Sequence, residues 1–253
     1  MKLYTLNIKQ KEAVTKIGGP ILVFAGAGSG KTRVLTHKIA YLIDDIGVPP
    51  ENILAVTFTN KAAQEMKTRI VELVNHDISG ISIGTFHSIS AQLLRKNISK
   101  IGYNSDFTIY DQQDSKTVVK QVIKDFNLDI KQFDPKTYQI KISNAKNSMK
   151  SPDYFKELLE NYSDKMFYQI YLKYQEILKK NNSVDFDDLL ILPLTIFENH
   201  PECLKFYQDK YKYVLVDEYQ DTNKPQFEFI YSISSVHKDI FVVGDDDQSI
   251  YGW

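Results

Sequence analysis

The 253-residue chain contains a single cysteine, Cys203, so no disulfide can form within it and stability has to come from packing. Arginine is nearly as scarce, occurring only as Arg33, Arg69 and Arg95, which makes each guanidinium a sparse, planar donor for carboxylate or phosphate. Neither sign of charge dominates: 31 Lys and Arg stand against 32 Asp and Glu, a net charge of −1. That balance excludes a broad basic field, so any nucleic-acid contact has to come from a local groove and from stacking aromatics. Long apolar runs are missing too. Ile21–Ala25 and Leu189–Leu194 fall far short of the ~20 residues a bilayer span needs, and Met1-Lys2-Leu3-Tyr4 opens no secretory leader. The expectation is a cytoplasmic protein with no membrane role.

Against these absences stands one dense glycine segment. Ala25-Gly26-Ala27-Gly28-Ser29-Gly30-Lys31-Thr32 lies between the apolar run Ile21–Phe24 and a helical pattern starting at Lys31, the strand–loop–helix setting of a phosphate-binding loop. Ala25 replaces the first glycine of G-x-x-x-x-G-K-[ST], but the remaining glycines still let backbone N–H groups close around an anion. The positive end of the following helix faces the same phosphates. Lys31 would reach the β and γ oxygens, and the Thr32 hydroxyl would ligate Mg²⁺. A nucleoside triphosphate, ATP with magnesium, is the expected ligand.

Five β-rich runs, Ile21–Ala25, Ile53–Thr57, Ile81–Gly84, Tyr213–Asp217 and Ile240–Gly244, are bounded by turn or polar residues, as buried parallel strands are. Helical stripes over Lys31–Asp45 and Asn60–Val74 alternate with the first of them, which predicts an α/β domain with one parallel sheet. From 89 to 184 the pattern is helical, with Val118, Val119, Val122, Ile123 and Phe126 on one stripe and Met166, Phe167, Ile170, Tyr171, Tyr174, Ile177 and Leu178 on another. This stretch shows no strand pair and reads as a helical subdomain inserted into an α/β domain made of 1–88 and 185–253.

Ligands of doubly wound sheets gather at the carboxyl ends of strands. Tyr213-Val214-Leu215-Val216 ends in Asp217 and Glu218, a Walker B pattern in which Asp217 would hold the metal and Glu218 would orient and deprotonate water. Another strand end, Val242–Asp245, is followed by Gln248, Tyr251 and Trp253. Gln248 is placed to touch a γ-phosphate, with the two rings meeting a second ligand. Upstream, the Gln10 amide could read an adenine edge, although by residue type alone a helix-surface position is the favoured reading.

Taken together, the ordered segments resemble the UvrD/Rep/PcrA family of superfamily 1 DNA helicases over nearly the whole chain. The segments are Leu6-Asn7…Gln10, Ala25–Arg33, Thr57–Ala63, Gly84–Ser88, Asp185–Leu190, Val216–Asn223 and Val242–Trp253. The resemblance implies a RecA-like fold and an ATP-driven motor stepping 3′ to 5′ on single-stranded DNA toward duplex junctions, in repair or replication. It makes Gln10 and Arg33 adenine-side contacts, Lys31, Thr32 and Asp217 the phosphate and magnesium ligands, Glu218 the base, and Gln248 the γ-phosphate sensor. Phe58, Asn60, His87, Phe186, Tyr251 and Trp253 fall on its single-strand track, where aromatic faces grip any base without reading sequence. By residue type alone Phe58 is equally a core candidate and His87 a strand-end cap.

In that family a second RecA-like domain supplies arginines across the ATP cleft. The expectation is therefore an N-terminal portion that binds nucleotide but hydrolyses it slowly, since such arginines contribute about 10³–10⁵ in rate. A P-loop switch or a small-molecule kinase with a helical lid is the alternative, which the Thr57–Ala63 segment disfavours.

Overall fold

A computed structural model describes residues 3–26 and 28–245. In chain order the elements are α1 (Ile8–Thr15), β1 (Ile21–Phe24), α2 (Lys31–Asp44), β2 (Ile53–Thr57), α3 (Asn60–Leu73), β3 (Ser82–Thr85) and α4 (Phe86–Asn97). Then come β4 (Thr108–Ile109), α5 (Gln112–Asp125), α6 (Pro135–Asn147), α7 (Pro152–Lys156), α8 (Tyr162–Lys180), β5 (Ser183–Val184) and α9 (Asp188–Asn199). The chain continues through α10 (Pro201–Lys210), β6 (Tyr213–Val216), α11 (Lys224–Ser234) and β7 (Ile240–Gly244). Contacts group these into two units, Met1–Ile89 with Pro201–Trp253, and Ser90–His200.

In the first unit the strand order is β1-β7-β6-β2-β3, and every neighbouring pair is parallel. The protein is thus α/β with a helix-flanked parallel sheet, as the strand–helix alternation predicts. All five residues of β2 are buried, matching its unbroken apolar run. β1 differs. As an edge strand it turns Ile21 and Val23 onto the apolar core that includes residues of α2 but leaves Leu22 and Phe24 exposed, so the expectation of a strand buried on both faces fails there.

Local chemistry sets the helix starts. Asn7 and Gln10 form a reciprocal capping box at α1, Asn223 and Gln226 another at α11, and the Thr59 side chain accepts the Ala62 N–H at α3. α2 has no side-chain cap; its N-cap is Gly30 at φ 89. Lys38, buried in α2, donates to Val14 O at 3.1 Å and to Lys16 O, carbonyls at the end of α1 that the helix itself cannot satisfy. Burial pushes the Lys38 amine down to about 8, with Asp239 opposing. Arg33 Nη2 donates to Thr5 O at 2.6 Å, so α2 holds the N-terminal segment at both ends.

In the second unit the two predicted stripes meet. Val118, Val119, Val122 and Ile123 of α5 pack with Met166, Ile170, Tyr171, Tyr174 and Leu178 of α8, joined by Tyr138 and Ile142 of α6. The unit also contains a short parallel pair, Thr108↔Ser183 and Ile109↔Val184, contrary to the reading that this stretch has none. Two-residue strands carry no period to detect. The sequence reading returned the chain to the first domain at 185, whereas the contacts return it at 201. Asp185 and Asp188 explain the difference: both bond Lys146 of α6, at 2.6 and 2.7 Å, and Asp185 also accepts from the Tyr174 hydroxyl at 2.8 Å.

Candidate functional site

Because the five strands are parallel, their carboxyl ends share one edge of the sheet, and the loops leaving that edge carry most of the chemistry-bearing residues. From β1 the chain enters the glycine loop, where Ser29 N–H donates to Gly26 O at 3.1 Å and Ala25 N–H to Gly244 O at 3.0 Å. Gly30 suits the loop because its φ of 89 is left-handed; a Cβ there would also press on the Gln10 amide at 3.1 Å. The Gln10 amide donates to Ser29 O at 3.0 Å, which brings the N-terminal segment against the loop.

Lys31, the first residue of α2, is buried and points at the β6 and β7 ends. Its Nζ lies 3.1 Å from Glu218 Oε2 and 3.6 Å from Asp245 Oδ2. The lysine and the Walker B acids therefore share one side of the sheet, as the nucleotide reading requires. Asp217 is buried beside them and has its carboxyl pushed up to about 6, first by burial and then by the Glu218 charge, with Lys31 and Arg69 opposing. Glu218 adopts left-handed backbone angles, φ 50 and ψ 47, a conformation costing a non-glycine residue about 1–3 kcal/mol. Its carboxylate lies against Lys31 and accepts from Gln220 Nε2 at 2.8 Å.

The arrangement fits a magnesium-bound triphosphate. The start of α2 has no side-chain cap, Lys31 faces carboxylates where phosphate oxygens would serve, and Asp217 is an acid whose carboxyl is pushed up by burial and by the Glu218 charge, which a divalent cation would relieve. Thr32 is half-buried, its carbonyl accepting from the Thr36 hydroxyl at 3.0 Å. Arg33 is exposed and tied to Thr5 O.

Along the same sheet edge, the paired ends of β2 and β3 set a second group of residues. Thr57 and Thr85 are register partners, and the residues that follow them, Phe58 and Phe86, meet edge to face with centroids 5.4 Å apart. Phe86 is core, Phe58 half-buried, Asn60 exposed at the first turn of α3, and His87 half-buried. Phe186 belongs to the second unit and is exposed, between the buried Asp185 and Asp188. Ala27, Gln248, Tyr251 and Trp253 lie outside the described residues.

Two residues of the site carried no role in the sequence reading. Asp245 was visible as a strand-end acid, but only the pairing of β7 with β1 puts it beside Lys31. Gln220 lies in the segment Val216–Asn223, which by itself names no partner for it.

A lysine-bearing glycine loop facing paired acids at the carboxyl edge of a parallel sheet defines a P-loop α/β protein of RecA-like architecture. Comparison with known families specifies it further: the UvrD/REP helicase N-terminal domain matches residues 6–253, and the chain belongs to that family. It is 48% identical over 248 residues to the ATP-dependent DNA helicase PcrA of Staphylococcus epidermidis, and equally to that of Staphylococcus aureus. Each match takes in 98% of this chain and 34% of the relative, so the chain spans about a third of the length of these relatives. Among the described residues no helix is long and apolar enough to cross a membrane.

Proposed function

We propose that this chain is the ATP-binding part of a 3′–5′ DNA helicase, acting in the cytoplasm on single-stranded DNA next to duplex junctions. The observation that carries the reading is the convergence of Lys31, Glu218 and Asp245 within 3.6 Å at the uncapped start of α2. Magnesium–ATP would supply the phosphoanhydride whose cleavage drives movement. Lys31 and Thr32 would hold it with the backbone of Ala25–Gly30, Asp217 would carry the metal, and Gln10 and Arg33 would flank the base. Glu218, held in its strained conformation, would take the proton of the attacking water. Gln248 would face the γ-phosphate. Phe58, Asn60, His87, Phe186, Tyr251 and Trp253 would line the DNA track, Phe58 anchored by its contact with Phe86.

In this reading the first unit is the ATP-binding domain and residues 90–200 a helical insert. Hydrolysis by these 253 residues alone is slow. Each arginine is engaged locally: Arg33 with Thr5, Arg69 with Glu65, and Arg95 with the Ser105 and Phe107 carbonyls. Of these, Arg69 acts on the site as a charge opposing the upward shift of Asp217, and a second domain of the kind seen in the family would supply an arginine to the charge that develops in phosphoryl transfer. Titration of the chain with a fluorescent ATP analogue and Mg²⁺, and of its only tryptophan with oligo-dT, tests the reading. Saturable binding that Lys31→Ala weakens strongly, together with quenching by oligo-dT, supports it; no nucleotide binding by the parent chain overturns it.

A further inference from the structure

Gln220 follows the strained Glu218 in the short turn Tyr219–Asp221 and connects two parts of the site. Its Nε2 donates to Glu218 Oε2 at 2.8 Å, and its Oε1 accepts the backbone N–H of Asp245 at 3.0 Å. A side-chain amide has one donor end and one acceptor end, so using both fixes which way it faces. Gly244 makes the approach possible: a Cβ there would stand 2.9 Å from Gln220 Oε1, inside any real contact. Substitution at 244 would push the amide off both partners. Glu218 Oε2 is also 3.1 Å from Lys31, so one carboxylate oxygen is shared between the P-loop lysine and the Gln220 amide.

We propose that Gln220 is a positioning residue that ties the carboxylate of Glu218 to the end of β7. The inference rests on the nucleotide reading above. When Lys31 turns from Glu218 to phosphate oxygens, the carboxylate loses its cation and keeps the Gln220 N–H as its neighbour donor. Any shift of the carboxylate toward a water then draws on the amide, whose far end holds the Asp245 N–H. Glu218 and residue 245 move together, or one of the two hydrogen bonds breaks. Nucleotide occupancy is thereby communicated to the segment that follows β7 without a change in the sheet itself.

Amide hydrogen exchange at Asp245, with Mg²⁺ and a non-hydrolysable ATP analogue as the probe, reads the link directly. In the parent chain the analogue should change exchange at Asp245 by about tenfold. Gln220→Ala should speed basal exchange there and abolish the response, while analogue affinity stays within about threefold. Gln220→Glu keeps an acceptor for the Asp245 N–H but sets a carboxylate, not a donor, against Glu218, so the response should stay lost whatever the basal protection. In steady-state turnover both variants should lose about tenfold in kcat with KM little changed. A nucleotide response at Asp245 that survives in either variant overturns the link, and Gln220→Glu decides alone should Gln220→Ala fail to fold. Absence of analogue binding by the parent chain would instead overturn the nucleotide reading.

Discussion

Lys31 in the first unit and Lys146 in the second are both buried, and each faces two carboxylates, yet their charges are compensated to different degrees. Lys146 bonds Asp185 Oδ2 at 2.6 Å and Asp188 Oδ1 at 2.7 Å, the same two oxygens accept from Tyr174 and Gln175, and the other oxygen of each carboxylate accepts the backbone N–H of its partner aspartate. Burial opposes the charge on Lys146, but the two aspartates overcome it and hold the ammonium well above its ordinary range. Lys31 sits 3.1 and 3.6 Å from its acids, one of which, Glu218, is 36% exposed and strained. The closed cluster has geometry for one state only. The looser one has carboxylates where an anionic ligand would bind, and its ion pairs can be exchanged for that ligand. Similar residue types thus make a fixed core element in one unit and an exchangeable site in the other.

The largest expected effect lies in the closed cluster. Lys146→Met should cost about 3–5 kcal/mol in urea unfolding, because it leaves two buried carboxylates without a cation. Adding Asp185→Asn and Asp188→Asn to that variant should recover much of the loss, and failure to recover would show that shape, not charge, holds α6 to α9. Lys31→Ala should leave the urea midpoint nearly unchanged while weakening ATP-analogue binding by ~2–3 kcal/mol, the contribution of a charge-assisted contact. A comparable loss of stability would erase the contrast between the lysines. Phe186→Ala should lower single-strand affinity by about 1–3 kcal/mol in anisotropy titrations and leave nucleotide binding intact.

The smallest effect is on pH dependence. Burial and the neighbouring Asp185 charge raise Asp188 to about 6, whereas Asp185, buried too but ionised against Lys146, is lowered. A carboxyl raised on folding binds its proton more tightly in the native state, so its contribution to stability falls as pH rises from about 4 to 6. Stability measured across that window should carry this component together with a like one from Asp217, and Asp188→Asn should remove only the Asp188 share.

Legibility in the sequence followed the range of the interactions. The glycine loop, the Walker B strand end and the stripes of α5 and α8 are local patterns, and they fell where the sequence put them. The capping box Asn7–Gln10 is local too, but the second bond of Gln10, to the Ser29 carbonyl, crosses 19 positions. Lys146 gave no signal, because its partners lie 39 and 42 residues away and a lysine on a helix normally reads as a surface residue. Gln220 was visible only as a letter in a segment, since its second partner is 25 residues off. The exposed Leu22 and Phe24 escaped because an apolar run does not say whether its strand is central or at an edge.

Read alone, the sequence determined that one segment is built for phosphate, that paired acids end a buried strand, and that a helical stretch interrupts an α/β pattern; periodicity and loop chemistry act over a few residues and need no partner. Strand order was settled only by tertiary structure. Pairing β1 with β7 and β7 with β6 brought Lys31, Asp245, Glu218 and Gln220 into one hydrogen-bonded group. Which side chains share a charge or an amide depends on distances across the sheet, and no spacing along the chain encodes them.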